Sequence, residues 1–203
     1  MGILASIVDR SISGSFSSDM FFNIRDGAFQ KCSSLTSVSF PNVTSISSNA
    51  FNSCSQLTSV SFPVATSIGS NAFYECRGLT EVTDEFFPVV TSIGNYAFSY
   101  CRGLISVSFP NVTSIGEGAF YQCNKLTSVS LPKATSISYQ AFQNCSSLTT
   151  IYVGTESDTV CSLSSTNAIP SSVTDIYVPA SLVDSYKSAT NWSNYADRIK
   201  ATP

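Results

Sequence analysis

An Ala-Phe pair recurs six times along this chain, at Ala28-Phe29, Ala50-Phe51, Ala72-Phe73, Ala97-Phe98, Ala119-Phe120 and Ala141-Phe142. Three residues after each phenylalanine stands a cysteine: Cys32, Cys54, Cys76, Cys101, Cys123, Cys145. Three further on stands a leucine: Leu35, Leu57, Leu79, Leu104, Leu126, Leu148. The step is 22 residues, and once 25. A unit of this length cannot bury its own apolar face. A chain built from such units folds by stacking them, so that each covers the next.

The unit is clearest over residues 35–56. Leu35, Val38 and Phe40 end in an alternating run, which predicts a short strand, repeated at Val60/Phe62, Val107/Phe109, Val129/Leu131 and Ile151/Val153. Pro41, Pro63, Pro88, Pro110 and Pro132 stop each strand, because proline brings no N–H to a ladder. Val43 and Ile46, with their counterparts, form a second short extended segment, and Gly69, Gly94 and Gly116 after the isoleucine predict a tight bend. Ala-Phe-x-x-Cys spans about one helical turn and places all three side chains inward on the convex side. The expected fold class is α/β: a leucine-rich repeat solenoid of about eight coils, a right-handed β-α superhelix with one short parallel strand per coil and short or irregular convex segments. Its strands would stack about 4.8 Å apart.

The chain divides accordingly. Residues 1–23 read as an N-terminal cap and a degenerate first coil. Ile3, Leu4, Ile7 and Val8 have helical spacing, Ile12 falls in the Leu35 slot, and Phe21 and Ile24 match Val43 and Ile46. Residues 24–153 are the repeats. One unit, Glu81 to Pro88, holds three extra residues in an acidic bulge with two adjacent phenylalanines. Residues 154–179 are an irregular last coil, in which Val173, Ile176, Val178 and Pro179 restore the strand pattern. Residues 180–203 read as two small helices, striped by Leu182, Val183 and Tyr186 and by Trp192, Tyr195, Ala196 and Ile199. They would cover the open end of the core, which otherwise exposes a raw edge.

The composition excludes several function classes. Histidine is absent, which removes the commonest general base and metal ligand and makes a Ser-His-Asp arrangement impossible. The net charge is −3, which argues against nucleic acid as the partner. No run of apolar residues is long enough to span a membrane, and the opening stretch lacks the basic start of a signal peptide. Six of the seven cysteines occupy one repeat slot. They read as small buried apolar residues, neither a disulfide framework nor a zinc site, which needs four converging ligands. Cys161 lies outside that column. Glu75, Glu81, Asp84 and Glu85 could bring carboxylates together near the bulge, but a solvated acidic loop is the simpler reading. No catalytic, cofactor-binding or metal-ligating residue is identified.

The candidate site is the concave face. The residues alternating with the buried ones are almost all hydroxylic, and a broad binding strip is expected at Ser39, Ser61, Glu81, Thr83, Ser106, Ser108, Ser128 and Ser130. Glu85, Phe86 and Phe87 add the bulge, and Tyr152 and Tyr177 an aromatic end. The expected activity is non-enzymatic binding of a protein or glycan by a monomer. The alternative is a purely structural spacer whose hydroxyls only solvate a sheet. Exposed aromatic anchors would favour binding; Phe86 and Phe87 folded back onto neighbouring coils would favour the spacer.

Leu35-x-x-Val38-x-Phe40-Pro41, Val43-Thr44-Ser45-Ile46 and Ala50-Phe51-x-x-Cys54 together resemble the BspA-like leucine-rich repeats. The likeness extends over residues 24–153 and is strongest from Gly94 to Cys101 and from Gly116 to Cys123. The tail from Ile176 to Ile199 is similar to an end cap found on such proteins from gut Firmicutes, and Ile7 to Ile12 to a common lead-in. The resemblance implies a bacterial protein, secreted or displayed at the cell surface, with adhesion to matrix proteins or other cells as a family role. It implies no catalytic residues.

Overall fold

The computed structural model describes residues 2–4, 13–154 and 156–203. Each coil crosses two parallel sheets. The strands read from Leu-x-x-Val-x-Phe form a front sheet in two sections. The N-terminal section joins Gly14–Ser17, Leu35–Ser39 and Ser59–Ser61; the C-terminal section joins Glu81–Val82, Ser106–Ser108, Ser128–Leu131, Thr150–Val153, Asp175–Val178 and Ile199–Ala201. The Val-Thr-Ser-Ile segments, expected to be merely extended, are hydrogen-bonded into an eight-stranded rear sheet from Gly2–Leu4 to Ser162–Leu163. Each coil thus carries a second strand. The fold class is otherwise as expected, a leucine-rich repeat solenoid of short parallel strands and irregular connections. The register follows the sequence period: Val107 pairs with Val129 and Ile115 with Ile137.

Between the sheets lies one continuous core with two phenylalanine columns. Phe29, Phe51, Phe73, Phe98, Phe120 and Phe142 stack with centroids 5.0–5.4 Å apart and planes within 9°. Phe40, Phe62, Phe87 and Phe109 form the second column and meet the first at steeper angles. Most rings therefore have near-parallel neighbours along their column, with Phe87 and Phe109 tilted by 31°, and rings across the columns meet at 47–74°; both arrangements are favourable for the aromatic quadrupole.

The entrance differs from the expectation. Gly2–Leu4 is a strand paired with Phe21–Ile24, not a helix; Ile7, Val8 and Ile12 lie outside the described residues. Ile24 pairs with Ile46 as the repeat predicts, and Phe16 pairs with Val38, so a worn first coil is present. A bare edge of unpaired N–H and C=O groups recruits a strand more readily than a helix, whose backbone groups pair internally.

The convex segments are not helical. Each is a series of tight turns with two left-handed residues, one before the alanine and one before the cysteine, as at Asn49 and Ser53 or Asn71 and Glu75. These turns hydrogen-bond across coils: the N–H of Phe51 donates to Ala72 O at 2.7 Å and that of Ser53 to Tyr74 O at 2.7 Å. Inter-coil bonding gives every turn a partner, which one isolated helical turn could not have. At Gly118 (φ +56°) an added Cβ would stand 2.3 Å from the Tyr96 ring, so space selects glycine in a left-handed slot that other coils fill with Asn49, Asn71 or Gln140. Gly69 has an ordinary φ. Its Cβ would stand 2.7 Å from the Ser47 backbone, so its role is close coil-to-coil approach and not the bend expected of it.

The cysteine column is buried, and its thiols are donors. Cys54, Cys76, Cys101, Cys123 and Cys145 each donate to the carbonyl of the phenylalanine in the preceding coil, at 3.0–3.1 Å. Burial pushes the thiols of Cys76, Cys101 and Cys123 well above their ordinary range, and that of Cys54 up to about 12. All seven cysteines are buried, and Cys54, Cys76, Cys101, Cys123, Cys145 and Cys161 are free thiols. A slot that is small, apolar and faced by one acceptor carbonyl fits cysteine, whose thiol can donate, better than alanine or valine.

After Val178 the chain forms a short 3-10 turn, the helix Val183–Ser188, the 3-10 segment Trp192–Arg198, and the strand Ile199–Ala201, which adds to the front sheet. The two expected helices are thus joined by an unexpected last strand. The polar tips of the buried Tyr186 and Trp192 and of the half-buried Asn191 bond the backbone of the last coil. Trp192 Nε1 donates to Cys161 O (2.6 Å), the Cys161 N–H donates to Tyr186 Oη (2.8 Å), and Asn191 Nδ2 donates to Leu163 O (2.7 Å). These bonds take the place of those a further coil would make.

Candidate binding surface

The front strands project two rows of outward side chains. Ser15, Ser37 and Ser59 align across the N-terminal section of the sheet, as do Ser17, Ser39 and Ser61. Across the C-terminal section the first row runs Glu81, Ser106, Ser128, Thr150, Asp175, and the second runs Ser108, Ser130, Tyr152, Tyr177, Lys200. The structure therefore brings together Ser106, Ser108, Ser128, Ser130, Tyr152 and Tyr177 as expected, but separates them from Ser39 and Ser61 by a break in the sheet.

The break lies at the insertion. After Val82 the chain turns, with Thr83 O accepting from the N–H groups of Phe86 (3.1 Å) and Phe87 (3.2 Å). Phe62 N–H then donates to Phe86 O at 3.0 Å, as Phe40 N–H does to Ser61 O in the regular coil. Phe86 thus occupies the Ser61 slot, and the extra residues are Thr83, Asp84 and Glu85. Glu81 and Glu85 are exposed, and Thr83 is half-buried. Phe87 is wholly buried, its ring parallel to Phe62 at 5.6 Å, and does not belong to the candidate surface. The repeat places a large core side chain, phenylalanine or Leu131, directly ahead of its proline, and Phe87 precedes Pro88. Phe86 is half-buried and packs against the core.

At the C-terminal end the Tyr152 and Tyr177 rings stack at 4.8 Å and 16°, half-buried. Beyond them Asp175 pairs with Lys200 and accepts from Thr174 Oγ1 at 2.8 Å. The Lys200 hydrogen bond, then the Thr174 hydroxyl, hold the Asp175 carboxyl below the usual carboxylate range. Among the described residues, no three Cys, Asp or Glu side chains are grouped so as to hold a metal ion, and no helix is long and apolar enough to cross a membrane.

Many of the hydroxyls have a role the sequence reading missed. The side-chain hydroxyls of Thr44, Thr66, Thr91, Thr113 and Thr135 each donate to the backbone carbonyl at the same slot one coil earlier, at 3.0–3.4 Å. Thr58, Thr127, Thr149 and Thr174 do the same in a second line. Their recurrence at the repeat step was the available signal. Also missed was an aromatic group on the convex turns, where Tyr100 lies 5.4 Å from Tyr74 and 5.6 Å from Tyr121, with Arg102 over its ring.

The comparisons with known proteins agree with this architecture. A family model described as the BspA type leucine rich repeat region, in six copies, matches residues 22–149 and 66–193. A leucine-rich repeat protein of T. pallidum shares the fold at 23% identity and a TM-score of 0.69, covering 99% of this chain and 91% of that one. A leucine-rich repeat protein from Bacteroides ovatus is 27% identical with a TM-score of 0.68. That match covers 85% of this chain and 44% of the other. No curated protein matches the sequence. Fold and family are those of a non-catalytic scaffold of the kind that binds proteins and other ligands. With the alanine-phenylalanine-cysteine-leucine step, two sheets in register and a family model spanning most of the residues, the chain belongs to the BspA-type leucine-rich repeat family.

Proposed function

We propose that the chain is a non-enzymatic recognition module of a bacterial surface or secreted protein, taking a protein or glycan partner on its front face. The observation that carries this reading is the pair of hydroxyl rows from Ser106 and Ser108 to the stacked Tyr152–Tyr177 pair. Short hydroxyl side chains offer donors and acceptors at little conformational cost, and tyrosine supplies the amphipathic anchor typical of binding surfaces. The family membership and the bacterial source of the similar Bacteroides ovatus protein support the setting.

A second reading, the structural spacer, is favoured by two observations. Phe87 is buried and Phe86 is packed down, so the bulge presents no paired aromatic anchor. Many threonine hydroxyls serve inter-coil bonds. An array of glycans, matrix proteins and host-cell lysate, probed with the wild-type chain, Tyr152→Ala and Tyr177→Ala, decides between them. Specific binding that either substitution removes supports the module. Binding to nothing by well-folded protein overturns it in favour of the spacer.

A further inference from the structure

One convex turn departs from the repeat. The N–H of Phe142 donates to Ala168 O at 2.8 Å, as that of Phe120 does to Ala141 O, so Ala168-Ile169 occupies the Ala-Phe slot of the last coil. From Ala168 to Val173 the chain has six residues where Ala141 to Leu148 has eight, and the cysteine is missing. Along the repeats, the residue before the cysteine donates to the next coil, ending with Gln122 N–H to Gln143 O at 3.0 Å. The shortened turn offers no such acceptor. Among the described residues none accepts from the Asn144 N–H.

The deletion opens a cavity of about 590 Å3 between the last repeat and the cap. Gln143 and Asn144 line one side, Thr166 and Asn167 another, and Tyr195 and Arg198 belong to the cap behind. Arg198 lies over the Tyr195 ring at 5.6 Å, and its Nη1 donates to Ser171 O (3.3 Å) and Val173 O (2.9 Å). Those bonds fix the guanidinium while leaving its other donors available. No carboxylate lines the cavity, and among the described residues none pairs with Arg198. The site thus combines a cation positioned over the buried Tyr195 ring with amide donors and acceptors, in a volume typical of small-molecule pockets.

We propose that this notch binds an acidic sugar, a pyranose carrying a carboxylate, as the terminal unit of a glycan. A carboxylate accepts charge-assisted bonds from guanidinium. The ring hydroxyls are matched by Asn144, Asn167 and the free Asn144 N–H. This site is separate from the front-face strip and does not rest on that reading.

The test is a 15N NMR titration of the full chain with glucuronate, with glucose and acetate as the other probes. Glucuronate is expected to shift the side-chain amides of Asn144 and Asn167 and the Arg198 Nε, saturably, and to bind at least about tenfold more tightly than glucose or acetate. Arg198→Gln should weaken binding about tenfold or more. Because Arg198 also holds the last coil, Ser146→Tyr serves as the second variant: it fills the notch from an exposed position outside the cap and should abolish the shifts. Tyr152→Ala should leave them unchanged. Equal affinity for glucose and glucuronate, retained binding in folded Ser146→Tyr, shifts confined to the Tyr152–Tyr177 end, or no saturable shift would each overturn the proposal.

Discussion

Phe86 and Phe87 are adjacent and chemically identical, yet the structure gives them different energetic roles. Phe87 has no exposed surface and touches four rings: Phe62 at 5.6 Å, Phe73 at 5.8 Å, Phe109 at 6.1 Å and Phe98 at 6.4 Å. Returning a buried phenylalanine to water costs about 1.5–3 kcal/mol. The unfilled space and lost ring contacts bring Phe87→Ala to about 3–5 kcal/mol. Phe86 is half-buried at the edge of the core, so truncation forfeits about half of the transfer free energy and opens no enclosed void, about 1 kcal/mol. Urea denaturation of the wild type and both variants, followed by circular dichroism, gives the two values from the midpoint at common slope. A more sensitive sign is the shape of the curve. A solenoid weakened at one central coil can lose its single cooperative transition, and only Phe87→Ala should do this. The reasoning fails if Phe86→Ala costs as much as Phe87→Ala, because the phenylalanine column would then run through the wrong residue.

Three further outcomes are expected. The buried thiols stay protonated in the folded state, whereas unfolded cysteines ionise near pH 8.5. Their raised folded values therefore give stability that is full below about pH 8.5 and falls as pH rises, by up to about 1.4 kcal/mol per pH unit per cysteine, for Cys54 until about pH 12. Urea titrations at stepped pH under reducing conditions should show this decline, and Cys76→Ala should lessen its slope; a stability independent of pH above 9 would contradict the thiol environments described. Ile105 is half exposed in a slot where neighbouring coils place threonine, and its N–H already lies 2.8 Å from Thr80 O. Ile105→Thr should add a hydroxyl bond to that carbonyl and raise stability by about 0.5 kcal/mol, read as a higher urea midpoint with unchanged slope. Deleting residues 180–203 should yield an aggregating or partly unfolded chain, since it uncovers the Cys161 and Leu163 backbone groups and the front-sheet edge; a monomer with an unaltered melting curve would count against a capping role.

The repeat step alone determined the stacking, because a 22-residue unit has no other way to bury Leu35, Val38, Phe40, Ile46, Phe51 and Cys54. Alternation placed Ser106, Ser108, Ser128, Ser130, Tyr152 and Tyr177 on one face, since side chains on a strand alternate by two whatever surrounds them. Tertiary structure decided whatever depended on the neighbouring coil. Phe87 and not Phe86 entered the core because the column one coil earlier supplied a parallel ring. The Ala-Phe-x-x-Cys segment became turns because the next coil presented carbonyls to its N–H groups, and cysteine suited its slot because a phenylalanine carbonyl lay within reach of the thiol. The notch beside Asn144 came from two missing residues whose effect appears only when the cap is set behind them. Periodicity in one chain specifies which side chains point inward; which donor meets which acceptor depends on the relative height of adjacent coils, and that is fixed only when they pack.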